Sequence, residues 1–319
     1  MNRRLNLLLR YVLYYSPSFV RKKVSEAHTR NELQQWMQIS KRTKLTKEEI
    51  EAAINALDID TKDVLLHTSM AKIGKMQGGP KWFCECLFKK IDLRCQTLLV
   101  SALPFRGRFK DYLKTIKVFD VRTAPIAMGA INERIAMMPE ARRSIHPTHS
   151  IVAIGRSASA YTNEHHLDET PFDVHSPYYK LLKNSGKVVM FGADLDNFTL
   201  VHVCEDLLGS DYPIKVYDNK LYEVPCINAE GKSLIVKTKV HNPINGIRRD
   251  LKPFKKILEE QGVMKSVPFG EAEISVLDAR QFVICYLSEM KKGNTMYGKI
   301  RVNKKLQNEL DIIINNFKE

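Results

Sequence analysis

Short apolar runs alternate with longer polar stretches along most of the chain. Asp63-Val64-Leu65-Leu66-His67, Gln96-Thr97-Leu98-Leu99-Val100, Ile151-Val152-Ala153-Ile154-Gly155 and Val188-Val189-Met190-Phe191-Gly192 have the length and apolar content of buried strands. Helical patterns lie between them. Thr46 is placed to cap a helix, with Glu49 completing a capping box. Further helices are predicted over 81–89, after Pro125 through Ile131, Ile135 and Met138, and over 200–208. Beyond Gly209 the alternation and β-branching predict antiparallel strands over 214–217, 222–225 and 233–237. Residues 241–249, with Pro243 and Asn245-Gly246, read as a loop. A helix over 252–260, a strand over 269–276 and a closing helix over 279–290 complete the pattern, which allows a layered α/β fold.

The chain has 319 residues, of which 44% are hydrophobic and 27% charged, so it can bury a proper core as one large domain or two small ones. It contains no apolar run near the length of a membrane span. Six scattered cysteines, with no CxxC pair and no secretory apolar leader, predict reduced and mostly buried thiols and a cytoplasmic location. The net charge of +14 admits an anionic partner: coenzyme phosphates, a nucleotide-linked substrate or an anionic membrane. A lysine-rich solvated surface explains it equally well. The basic residues are dispersed and form no recognised nucleic-acid module, so no nucleic acid is expected. In residues 1–24 leucines and tyrosines alternate with arginines. This predicts a basic amphipathic helix within an extension over 1–45, suited to the inner face of a membrane. The competing reading docks it on the protein's own body or on a partner subunit, as in a homodimer.

Six of the nine histidines fall between Arg142 and Glu205, many at the ends of apolar runs, where strand ends bring side chains to a ligand. Thr199, His202 and Glu205 are spaced three apart, which puts His202 one helical turn from each of the others. The turn at His67-Thr68-Ser69 and the glycines Gly78-Gly79 before Pro80 suit an anion cradle. A zinc site is not expected: Pro147 extends the chain between His146 and His149, and the adjacent rings of His165 and His166 diverge. Gly155-Arg156-Ser157-Ala158 lacks the second glycine of a serine-hydrolase elbow.

Four of these pieces, in order and spacing, resemble the aminoglycoside 3-N-acetyltransferase family. They are His67-Thr68-Ser69, Arg143-Ser144-Ile145-His146-Pro147, Tyr161-Thr162-Asn163-Glu164-His165, and Gly192 through Thr199, His202 and Glu205. Phe269-Gly270-Glu271-Ala272 and Leu277-Asp278-Ala279-Arg280 fit the family's C-terminal end, so the likeness covers 46–290 and leaves 291–319 as a helical tail. The resemblance implies a three-layer α/β/α fold with a mixed central sheet. It implies N-acetyl transfer from acetyl-CoA to an amine, with no metal. His67, Thr68, Ser69, Lys72, Ile73, Gly74, Arg142, Arg143 and Ser144 are then expected at the coenzyme.

By the same resemblance His165 is the expected general base, with His166 as backup. Glu205 is the expected orienting carboxylate, with Asp168 second, and His202 and His146 help to fix geometry or bond the acceptor. Asp168, Asn197 and Thr199 are expected at the acceptor, and Ser69 or Thr199 at the developing oxyanion. Aminoglycosides are polycations, for which so basic a chain is a poor match. Asp173-Val174-His175 also stands where the family usually has Gly-Glu-Gly. The expected acceptor is therefore a nucleotide- or lipid-linked amino sugar of surface-polysaccharide biosynthesis. The alternatives are a genuine antibiotic-acetylating enzyme and a non-catalytic, membrane-peripheral binding protein on the same fold.

Overall fold

The structure, a computed structural model, describes residues 42–318 and four earlier positions, Val12, Ser16, Val20 and Lys23. The helix expected over 1–24, with its membrane contact, and most of the extension expected over 1–45 lie outside the described residues.

The four apolar runs become the strands β1 Val64–Thr68, β2 Thr97–Ser101, β4 Ile151–Gly155 and β5 Lys187–Phe191, and β3 Arg142–Arg143, β6 Met264–Phe269 and β7 Ala272–Asp278 extend them. They form one sheet in the order β6-β7-β5-β1-β2-β4-β3. β1 is parallel to β2 and β5, and every other pairing is antiparallel. Successive strand side chains point to opposite faces, so each strand feeds two cores. Val64, Leu66, Leu98, Val100, Val189 and Phe191 meet the helices Lys47–Asn55, Gly79–Lys90 and Ala130–Ala136. Leu65, Leu99, Val188 and Met190 meet Pro177–Lys183, Val203–Leu208, Phe254–Glu260, Ala279–Lys291 and Lys304–Lys318 on the other face. The fold is a three-layer α/β/α arrangement on a mixed sheet. A smaller sheet of Phe119–Asp120, Tyr222–Ile227 and Ser233–Thr238 has its own core around Phe119, Val224 and Val236.

Local signals held where their partners are close in sequence. The Thr46–Glu49 capping box is present with both of its hydrogen bonds. Residues 214–217 are not a strand, and only Tyr217 bridges to His241. The carbonyls of Lys215 and Val216 are taken instead by the Asn245 side chain and the Asn242 N–H. The expected loop over 241–249 contains a helix, Pro243–Arg248, because Asn242 accepts from the Ile244 N–H and Pro243 pre-sets the first turn. The single strand expected over 269–276 is a hairpin, β6 to β7, that turns at Gly270. A Cβ on Gly270 would lie 2.2 Å from the Ile73 carbonyl, and its φ of +59° also favours glycine. The residues after 290, expected as a tail, bury Leu306, Leu310, Ile314 and Phe317 in the main core. All six cysteines are free, five of them buried and Cys95 exposed. No helix among the described residues is long and apolar enough to cross a membrane.

Candidate active site

β1 and β5 are parallel neighbours, and their C-terminal ends open into a cleft of about 560 Å³. Thr68, Ser69 and Lys72 line it from the end of β1, and Ala193, Asp196, Asn197 and Thr199 from beyond β5. Gly192 makes the exit from β5, with φ +71° and room for no side chain: a Cβ would sit 2.3 Å from Ile73. A 3-10 turn, Thr199–His202, then runs directly into the helix Val203–Leu208. His202 therefore reaches the cleft wall, with Glu205 one turn deeper.

The Glu205 side chain is fully buried. Its Oε2 accepts from His202 Nδ1 at 2.9 Å and from His241 Nε2 at 2.8 Å, and its Oε1 from the Tyr297 hydroxyl at 2.5 Å. Burial pushes this carboxyl up, but the two imidazoles outweigh burial and hold it well below the usual carboxylate range. Tyr297 is pushed the other way, by burial and by Glu205, and so stays a donor. With its proton on Nδ1, neutral His202 keeps its lone pair on Nε2, and Arg249 Nη1 lies 2.6 Å from that nitrogen. The ligand atoms of His202, Glu205 and His241 lie within 4.8 Å of one another, a spacing that could also hold a divalent ion.

The remaining expected site residues divide clearly. His67, Thr68, Ser69, Lys72, Asn197, Thr199 and His202 line the cleft, as does Arg108. His67 Nε2 is buried with no partner. His165 does not reach the cleft. Its Nε2 donates to the Pro171 carbonyl at 3.0 Å and its Nδ1 accepts from Ser144 Oγ at 2.8 Å, so both nitrogens are taken up away from the cleft. Glu205 accordingly pairs with His202 and not with His165. His146 is fully buried, accepts the His149 N–H on Nδ1, and stacks on His165 with ring centres 4.6 Å apart. The rings still form one chain, from His146 to His149 at 5.9 Å, His149 to His241 at 6.4 Å, and His241 to His202 at 4.4 Å.

Asp168 is taken up by His175. Ile73 is buried in the core, and Gly74 packs its backbone against Thr43. Gly78 packs on Trp82, away from the cleft. Arg142 and Arg143 line a second, larger cleft of about 860 Å³ beside β3, which His202 and Glu205 do not line. Arg143 donates to the carbonyls of Ala102, Ala124 and Pro125 and to Ser150 Oγ, which engages four of its five N–H groups and leaves no paired fork for a phosphate. His241, Arg249 and Tyr297 were not singled out from the sequence. The one local signal was the Asn242-Pro243 helix start that follows His241.

Burial pushes His67 and His202 down to about 4 and His165 to about 3. Between pH 6.5 and 4 the unfolded chain therefore binds more protons than the folded one. Their contribution is complete above pH 6.5 and is lost as the pH falls toward 4. The melting temperature is expected to drop by on the order of 5 °C from pH 7 to pH 5, followed by circular dichroism. A flat profile would mean that these rings are solvated in the folded protein.

A family model described as aminoglycoside 3-N-acetyltransferase matches residues 65–291. Aminoglycoside N(3)-acetyltransferase III of Pseudomonas aeruginosa is 28% identical over 265 residues, covering 77% of this chain and 94% of that protein. The protein of the same name from Serratia marcescens is 28% identical over 200 residues, 59% of this chain and 72% of that one. The crystal structure of aminoglycoside acetyltransferase AAC(3)-Xa is similar with a TM-score of 0.64 at 25% identity, over 81% of this chain and 95% of that one. AAC-IIIb, solved with CoASH, gives 0.65 at 22% identity over 82% and 100%. The matched span takes in most of the central sheet and both His202 and Glu205, and the chain belongs to the aminoglycoside 3-N-acetyltransferase family, as an acyl-CoA-dependent N-acyltransferase.

Proposed function

We propose that this chain moves the acetyl group of acetyl-CoA to the amine of an amino sugar, with His202 as general base and Glu205 as the carboxylate that orients it. The observation that carries this reading is the direction of the His202 ring: Nδ1 is held by Glu205, which leaves the lone pair on Nε2 at the cleft wall, where Arg249 Nη1 meets it. An amine attacks only when neutral, so its proton must go to Nε2 as the C–N bond forms. The C–S bond then breaks and the departing sulfur takes a proton to leave as the thiol. Glu205 stabilises the imidazolium and keeps the tautomer that receives the proton. Thr68, Ser69 and Lys72 would hold the coenzyme at the end of β1, where His67, its buried Nε2 without a partner, also lines the cleft. The neighbour AAC-IIIb, solved with CoASH, supports that co-substrate.

For the acceptor, the charge of the cleft favours an amino sugar linked to a nucleotide or lipid phosphate, as in surface-polysaccharide biosynthesis. Among the described residues its lining carries Lys72, Arg108, Lys110 and Arg249 against one carboxylate, Asp196. Lys72 pairs with Asp194 and Lys110 with Asp218 behind the lining, so the wall's positive excess is smaller than the number of its cations; what remains favours an anionic over a polycationic acceptor. The second reading, an aminoglycoside antibiotic as acceptor, rests on the names of the relatives and on the neighbour AAC-VIa, solved bound to sisomicin. An acceptor panel with acetyl-CoA, followed by thiol release, separates the two. A nucleotide-linked amino sugar is expected to exceed kanamycin-type drugs about tenfold or more in kcat/KM. Strong turnover of the drugs with none of the nucleotide sugars would assign the second reading.

A further inference from the structure

Arg249 stands where the acceptor amine has to be. Its Nη1 lies 2.6 Å from His202 Nε2, covering the lone pair that would receive the amine proton. Its Nη2 donates to the Asp196 carbonyl at 3.0 Å. The guanidinium thus bridges the base and the turn after β5, across the cleft wall. While it is there the base is blocked twice. The nitrogen is occupied, and a second positive charge on the ring would sit beside the first.

The carboxylate linked most nearly to Arg249, Glu205, reaches it only through the His202 ring. The Asp196 carboxylate pairs with Lys252 at 3.3 Å, and Arg249 takes only the backbone oxygen of that residue. Among the described residues no carboxylate forms an ion pair with Arg249. A planar fork of donors held by one ring nitrogen and one carbonyl is an incompletely matched anion receptor, since its preferred partner is a carboxylate or phosphate bound by two parallel hydrogen bonds. Arg249 is the first residue past the short helix Pro243–Arg248, and its backbone is held on both sides, by its own N–H to the Asn245 carbonyl and by the Asp250 N–H to that of Met296, so any release is a swing of the side chain alone.

We infer that Arg249 is a latch on the catalytic base, released by an anionic group on the acceptor itself, so that it selects amines bearing a phosphate or carboxylate. In the free enzyme the guanidinium caps His202. An acceptor with a phosphate near its amine draws the fork away, uncovers Nε2 and places the amine against it. A neutral or polycationic amine offers no such exchange. The inference rests on the reading of His202 as base, and it names the residue that makes the acceptor choice.

Glucosamine and glucosamine 6-phosphate differ by one phosphate and make the test, using the full chain with acetyl-CoA. The wild type is expected to favour the phosphorylated sugar. In Arg249→Ala that preference is expected to shrink about a hundredfold, through loss on the phosphorylated sugar and gain on the neutral one. Arg249→Lys should keep part of it. Equal losses on both sugars would overturn the inference, because a structural role moves both alike. A second measurement stands apart from turnover: the imidazole nitrogen resonances of 15N-histidine-labelled protein. Glucosamine 6-phosphate should shift His202 Nε2 in the wild type and not in Arg249→Ala. If it leaves that resonance unmoved, or if coenzyme A alone moves it equally, the latch is wrong. Failure of both sugars as substrates would count against the proposed acceptor class, while the resonance still decides the latch.

Discussion

Replacing His202 with alanine is expected to lower kcat/KM for acetyl transfer about a thousandfold, with the fold retained. His202 lies at a cleft wall with its side chain 6% exposed, so truncation opens space toward solvent and does not hollow the core. What is lost is the acceptor of the amine proton. The loss should fall on kcat more than on KM, because the proton moves only as the C–N bond forms. Added imidazole should recover part of the rate by entering the vacated space. Were His165 the base, His202→Ala would keep most of its activity, and that result would remove the proposed mechanism. Glu205→Gln should lose a comparable factor for a different reason. Two imidazole N–H groups and a phenol donate to this carboxylate, and an amide that places its own N–H₂ there cannot accept from all three.

Arg143→Ala is expected to destabilise the protein by roughly 3 kcal/mol and to leave the KM for acetyl-CoA unchanged in the folded fraction. This guanidinium is largely buried, and burial lowers its pKa to about 10. It ties the edge strand β3 to the carbonyl of Ala102 just past β2 and to those of Ala124 and Pro125, and it lies 5.1 Å from the Phe119 ring of the smaller sheet. The Ala102 carbonyl keeps a second donor in Ser150 Oγ, whereas those of Ala124 and Pro125 lose theirs. The melting temperature should fall on the order of 8 °C. A tenfold rise in the KM for acetyl-CoA with an unchanged melting temperature would instead return Arg143 to the coenzyme, as its place in the family pattern implied.

These two outcomes mark where local pattern stops carrying information. The Arg143-Ser144-Ile145-His146-Pro147 stretch is legible as a family signature, yet Ser144 holds His165 and His146 stacks on it. In this structure the signature packs behind the cleft, whereas its Arg143 and Ser144 are expected at the coenzyme and its His146 at the geometry of the site or the acceptor. Polar residues that must be satisfied in a buried turn look the same in one dimension as polar residues that do chemistry.

The four central strands made from apolar runs, the Thr46 capping box and the His202–Glu205 spacing were legible in the sequence alone, because each depends on a short run of residues or on neighbours one turn away. Only the tertiary structure decided what surrounds each histidine. Glu205 is met by His241 from 36 residues away and by Tyr297 from 92, and His202 is met by Arg249 from 47. No period links such positions. They meet because the sheet order brings the ends of β1 and β5 together and the segments after the smaller sheet and after the helix Ala279–Lys291 fold across that opening.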